Sequence, residues 1–103
     1  MRGGTMEKLA EGVVEEKARQ LAGWDVTLAE GGNRLVRVFT FGDFVSALAF
    51  SVKVGMIAEK ADHHPAVLVE WGKVTVTWWS HSLGGLSEKD FEMAGRTSGL
   101  YEV

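Results

Sequence analysis

The chain has 103 residues, with 11 lysines and arginines against 14 aspartates and glutamates, a formal net charge of -3, and no cysteine. It has no basic run dense enough to grip a phosphate backbone, and without cysteine there is no disulfide, thiolate nucleophile or thiolate-held zinc or iron–sulfur site. The length fits one domain, residues 1–103, small enough for partner subunits to help cover apolar surface.

Residues 1–5 read as an extension or a disordered lead-in to Met6, itself a candidate initiator. They carry no apolar h-region, so a secretory signal is not supported. Thr5 is placed as the N-cap of a first amphipathic helix in which Leu9, Val13, Val14, Ala18 and Leu21 recur at helical spacing, with Glu7 in the first turn and Gly23 as the stop. Trp24, Val26 and Leu28 then alternate with Asp25 and Thr27, and the β-rich run Leu35 to Phe41 follows Glu30-Gly31-Gly32-Asn33, which predicts a hairpin.

From Asp43 to about Lys60 the residues Phe44, Ala47, Leu48, Ser51, Val54, Gly55 and Ala58 follow a 3.6 period, with Asp43 placed to favour the helix N-terminus. The apolar stretch Phe44 to Ile57 within it is interrupted by Lys53 and is too short to span a bilayer. A cytoplasmic location is therefore expected, with no membrane and no nucleic-acid partner. Pro65 disfavours helical geometry at His64, so His63-His64-Pro65 should lie on a loop entering the next strand.

Ala66 to Trp71 and Val74 to His81 flank Gly72-Lys73 as a second hairpin, and on its latter strand Thr75, Thr77, Trp79 and His81 share one face. After Gly84-Gly85, Ser87-Glu88-Lys89-Asp90 opens a short final helix through Phe91 and Ala94, which should fray in Gly95 to Gly99, a stretch poor in helix formers. The order α-β-β-α-β-β-α predicts an α+β, two-layer fold: a four-stranded antiparallel sheet with helices on one face. So short a sheet leaves edges, and Val45, Leu48, Val52 and Ile57 extend the apolar character of the long helix beyond one stripe, so self-association is expected.

All three histidines lie at His63, His64 and His81, near Glu59, Asp62 and Asp90. Imidazole is the side chain best matched to proton transfer near neutral pH, and imidazole–carboxylate pairs fix a tautomer, so acid/base chemistry is the leading reading. Adjacent residues in an extended segment point opposite ways, so His63 and His64 should do different jobs. The same residues can be read as ligands of zinc or iron, but neighbouring histidines do not easily aim at one ion. Asp90 also fits a capping box with Ser87. Glu59, near a helix C-terminus, opposes the macrodipole and needs another reason for its place. Trp71, Trp78 and Trp79 are core or interface residues first and stacking platforms second. Ser80 and Ser82 beside His81 make no triad, and there is no nucleophile elbow.

Glu59-Lys60-Ala61-Asp62-His63-His64-Pro65, Trp71-Gly72-Lys73-Val74, Ser80-His81 and Gly84-Gly85-Leu86-Ser87-Glu88-Lys89-Asp90 stand in this order after Arg37-Val38-Phe39-Thr40-Phe41-Gly42-Asp43-Phe44. Laid out so, the chain closely resembles the pterin-4a-carbinolamine dehydratases from about Trp24 to Ala94. The resemblance implies the same four-stranded fold and dehydration of a 4a-hydroxytetrahydropterin to the quinonoid dihydropterin in pterin recycling, with no metal or organic cofactor. By matching positions it implies His63 and His81 as acid/base residues, His64 and Ser80 as substrate-binding residues, Asp90 as a carboxylate supporting a histidine, and Glu59 and Asp62 as pocket residues. It also implies a homotetramer, or a dimer. The alternative function is a non-catalytic interaction module, since animal members also act as dimerisation partners of a transcription factor.

Overall fold

The computed structural model describes residues 6–101. Its first helix, α1, spans Glu11–Arg19, shorter than its apolar spacing predicts; the expected cap, Thr5, and the expected extension, residues 1–5, lie outside the described residues. The residues just before α1 run along the final loop instead, where Leu9 N donates to Leu86 O at 2.8 Å. A backbone group already paired to a distant segment is not free to extend a helix.

Strands β1 (Asp25–Ala29) and β2 (Gly32–Thr40) form the first hairpin, and β3 (Ala66–Glu70) and β4 (Lys73–Trp78) the second. All pairings are antiparallel, and the sheet order is β1-β2-β4-β3. β2 starts earlier than its β-rich run because polar Asn33 and Arg34 pair with Leu28 and Thr27 of β1. Pairing partners, rather than propensity, fix that end. Alternation sends Leu35, Phe39, Val74, Val76 and Trp78 to the core and leaves Val38 and Leu68 exposed on the other face.

Helix α2 spans Phe44–Ala61, and Asp43 caps it by accepting from Ser46 N at 2.7 Å. It lays Ala47, Phe50, Val54 and Ala58 on the sheet. Val45, Leu48, Val52 and Met56 face outward; Ile57, grouped with them by sequence, packs on the core, and Met56 completes the exposed stripe.

Helix α3 spans Glu88–Tyr101, well past the expected end at Ala94. Tertiary contacts override its glycines. Thr97 Oγ1 accepts from Trp78 Nε1 at 3.1 Å, Ser98 Oγ accepts from Trp24 Nε1 at 2.8 Å and from Arg37 Nη1 at 2.9 Å, and Tyr101 Oη donates to Thr40 O at 2.9 Å. With the three helices on one face of the sheet, the layers match the α+β order read from the sequence. No helix among the described residues is long and apolar enough to cross a membrane.

Candidate active site

The C-terminal end of α2 sets the site. His63 N donates to Ala58 O at 3.1 Å and Asp62 N to Glu59 O at 3.2 Å, while Asp62 takes a left-handed conformation with φ 52°. These paired bonds are a Schellman closure, usually completed by glycine. Aspartate is among the few other residues that tolerate this conformation. The reversal turns His63 inward while His64 stays exposed, the division of labour expected for adjacent residues in an extended segment.

His63 is buried, with its ring parallel to the Trp78 indole at an interplanar angle of 3° and a centroid separation of 5.7 Å. Its Nε2 lies 2.6 Å from Oδ1 of Asp90, which is wholly buried. The other carboxylate oxygen of Asp90, Oδ2, accepts from Ser80 Oγ at 2.7 Å, Ser87 N at 2.8 Å and Ser87 Oγ at 3.2 Å. A backbone N–H can only donate, so the carboxylate is an acceptor there. With Asp90 ionised, Nε2 of His63 must carry a proton, and in the neutral ring Nδ1 is then left as a proton acceptor.

The Ser87 N bond also makes Asp90 the third residue of α3 reaching back to the helix start, which is one half of a capping box. Capping and histidine support are therefore carried by different oxygens of one side chain.

His64 Nε2 lies 3.0 Å from Glu59 Oε1 at the surface. This contact gives Glu59 a reason to sit where the helix dipole disfavours it. His81 is not on a strand: β4 ends at Trp78, and His81–Leu83 form a 3₁₀ turn closed by Gly84 in the left-handed region. Ser80 takes the chain off the sheet path, because its backbone N donates to Gly85 O at 2.9 Å and its hydroxyl to Asp90. His81 instead rests on Trp79, at 4.1 Å between centroids and 30° between planes.

A cleft of about 670 Å³ opens beside His63 and Asp62, lined also by Met6, Glu7, Ser87 and Glu92. His64, His81 and Glu59 are not among its lining residues. The seven candidate site residues thus form three groups: His63 with Asp90, Ser80 and the cleft-lining Asp62; His64 with Glu59; and His81 by itself, against Trp79. Among the described residues, no three histidine, aspartate or glutamate side chains group as a metal site.

The sequence marks Trp78 as a core or interface residue and carries no sign that His63 stacks on it. Nor does it mark Arg34, whose guanidinium lies 4.0 Å from the Trp79 ring centroid. The position of Arg34 depends on strand register, which no local motif reveals.

The family model described as pterin 4 alpha carbinolamine dehydratase matches residues 7–100. The chain belongs to that family. Curated relatives bearing the printed name "Putative pterin-4-alpha-carbinolamine dehydratase" include one from Chlorobium limicola, 51% identical over 91% of this chain and 83% of its own length. Another, from Marinobacter nauticus, is 54% identical over 76% of this chain and 70% of its own length. A solved structure described as a transcriptional coactivator/pterin dehydratase from Brucella melitensis superposes with a TM-score of 0.82 at 34% identity, covering 92% of this chain and 99% of that one. The family match therefore runs from just before α1 to within one residue of the end of α3.

Proposed function

We propose that this chain dehydrates a 4a-hydroxytetrahydropterin to the quinonoid dihydropterin, acting in pterin recycling by histidine acid/base catalysis. Family membership supports the reaction class. The observation that carries the mechanism is the buried His63–Asp90 pair at 2.6 Å beside an open cleft. In the reaction the C4a–O bond breaks, the leaving oxygen takes a proton and departs as water, and the neighbouring ring nitrogen gives up its proton as the C4a–N double bond forms. Both transfers suit imidazole near neutral pH.

His63, with Nε2 committed to Asp90, offers Nδ1 to the ring-nitrogen proton. His81 is the second proton-transfer group, a role that rests on its match to the family pattern. His64, exposed and paired with Glu59, binds substrate, and Asp62 and Ser80 shape the pocket. Catalysis by these residues runs without a metal or organic cofactor. The protein acts in the cytoplasm as a homotetramer, or a dimer, and the exposed α2 stripe Val45, Leu48, Val52 and Met56 supports such assembly.

The test is the rate of dehydration of a freshly generated 4a-hydroxytetrahydropterin with chelator-treated protein. Acceleration over the spontaneous rate, unchanged by added zinc, is expected. No acceleration would contradict the proposal and favour the interaction-module reading, while recovery only on adding zinc would favour a metal lyase.

A further inference from the structure

The three histidines are held in different ways. His63 is oriented by Asp90 and His64 by Glu59, but among the described residues the His81 ring has no hydrogen-bond partner. What it has is the indole of Trp79, 4.1 Å away and tilted by 30°. Trp79 is fixed in turn by Arg34. The two are the next residues out from the Leu35↔Trp78 pair of β2 and β4.

The Arg34 guanidinium lies over the indole at 4.0 Å and is tethered by Nη2 donating to Glu30 O at 3.2 Å. Its Nε is buried without a hydrogen-bond partner. An unmet N–H is unfavourable, so the Glu30 tether and the stack on Trp79 together must hold the guanidinium in place. A planar, weakly hydrated cation is well suited to such a stack.

We propose that Trp79, backed by Arg34, is the positioning residue for His81 in the dehydration. The indole face does for His81 what a carboxylate does for the other two histidines: it limits the ring to a narrow range of orientations. His81 needs such support because it sits on a 3₁₀ turn rather than on a strand, and the turn fixes its backbone alone. The inference rests on the reading of His81 as an acid/base group.

Two readouts test it together: steady-state kinetics of Trp79→Ala, Trp79→Phe and Arg34→Met, and the imidazole C–H NMR signals of the three histidines, assigned with His81→Ala. Because small misplacements of a catalytic group are costly, Trp79→Ala should lower kcat about tenfold to a hundredfold with little change in KM. Trp79→Phe, which keeps a ring face, should recover most of that loss, and Arg34→Met should fall between. In Trp79→Ala the His81 signals should move as the ring leaves the indole current, with those of His63 unmoved. Should Trp79→Ala fold poorly, Arg34→Met and Trp79→Phe still carry the comparison. Wild-type kcat in Trp79→Ala while His81→Ala is inactive would overturn the positioning claim alone. Wild-type kcat in His81→Ala would overturn the acid/base reading of His81 itself.

Discussion

Asp90 joins His63 to the start of α3 through opposite ends of one carboxylate: Oδ1 lies 2.6 Å from His63 Nε2, while Oδ2 accepts from Ser87 N at 2.8 Å. The cap and the imidazole therefore share a rigid anchor, and two substitutions can separate them. Asp90→Asn keeps an oxygen for Ser87 but places an amide donor in reach of His63, disturbing its tautomer. It should retain the fold while kcat falls about a hundredfold, at the low end of what a positioned acid/base group contributes. Asp90→Ala should also lose about 1 kcal/mol of capping. Melting curves and kcat on the same preparations check this; unchanged kcat in a destabilised Asp90→Ala would leave Asp90 as a cap only.

Asp62 is the sole non-glycine with positive φ among the described residues, and it lines the cleft. Its role is either the αL turn or contact with substrate. Asp62→Gly preserves the turn and removes the carboxylate, whereas Asp62→Ala strains the turn by about 1 kcal/mol. If the turn is what matters, Asp62→Gly keeps near-normal kcat and KM. If the carboxylate binds the pterin, Asp62→Gly raises KM as much as Asp62→Ala does. We expect the rise in KM, since Asp62 is proposed as a pocket residue.

Asp43 caps α2, and its carboxyl is held below the ordinary value of 3.8, first by the Ser46 backbone N–H and then by the Ser46 side chain. A lowered folded pKa means that the stabilisation is present above the ordinary value and is lost as pH falls through the folded one. Asp43→Ala should therefore melt below the wild type at pH 7, and the gap should narrow as the pH drops below 3.8. Thermal melts across pH 2 to 7 measure it. A gap that stays constant with pH would show that the charge of Asp43 contributes nothing.

The exposed α2 stripe and the two edge strands β1 and β3 predict self-association, and the family resemblance implies that it takes the form of a tetramer, with a dimer as the simpler assembly. Light scattering at micromolar concentration should show a mass above that of one chain, and Val52→Glu should lower it. A stable monomer with full dehydratase activity would overturn the assembly while leaving the chemistry intact.

Much of the layout is legible in the sequence because local signals and tertiary demands agree. The apolar period and capping aspartate of α2 mark its start at Phe44, and the glycine turns mark both hairpins. Where long-range contacts decide, local reading falls short. α3 continues through Gly95 and Gly99 because Thr97, Ser98 and Tyr101 bond to Trp78, Trp24, Arg37 and Thr40, and α1 starts late because Leu9 pairs with Leu86. At the site, the alternation of neighbours separates His63 from His64, while the left-handed turn at Asp62 decides which of them faces inward. The departure of His81 from the strand depends on Ser80 being drawn to Asp90 and Gly85, and the Arg34–Trp79 stack depends on register. The Arg34–Trp79 stack joins residues far apart in the chain, and the nearer Ser80 contacts to Gly85 and Asp90 follow no local pattern.

If proton transfer by histidine drives the dehydration, as proposed, steady-state turnover of His63→Ala and His81→Ala in chelator-treated protein, with His64→Ala alongside, measures it most directly. Loss of a positioned acid/base group should lower kcat by about 10² to 10⁴ in each of the first two, while His64→Ala should mainly raise KM. Near-normal turnover in both His63→Ala and His81→Ala would contradict the account.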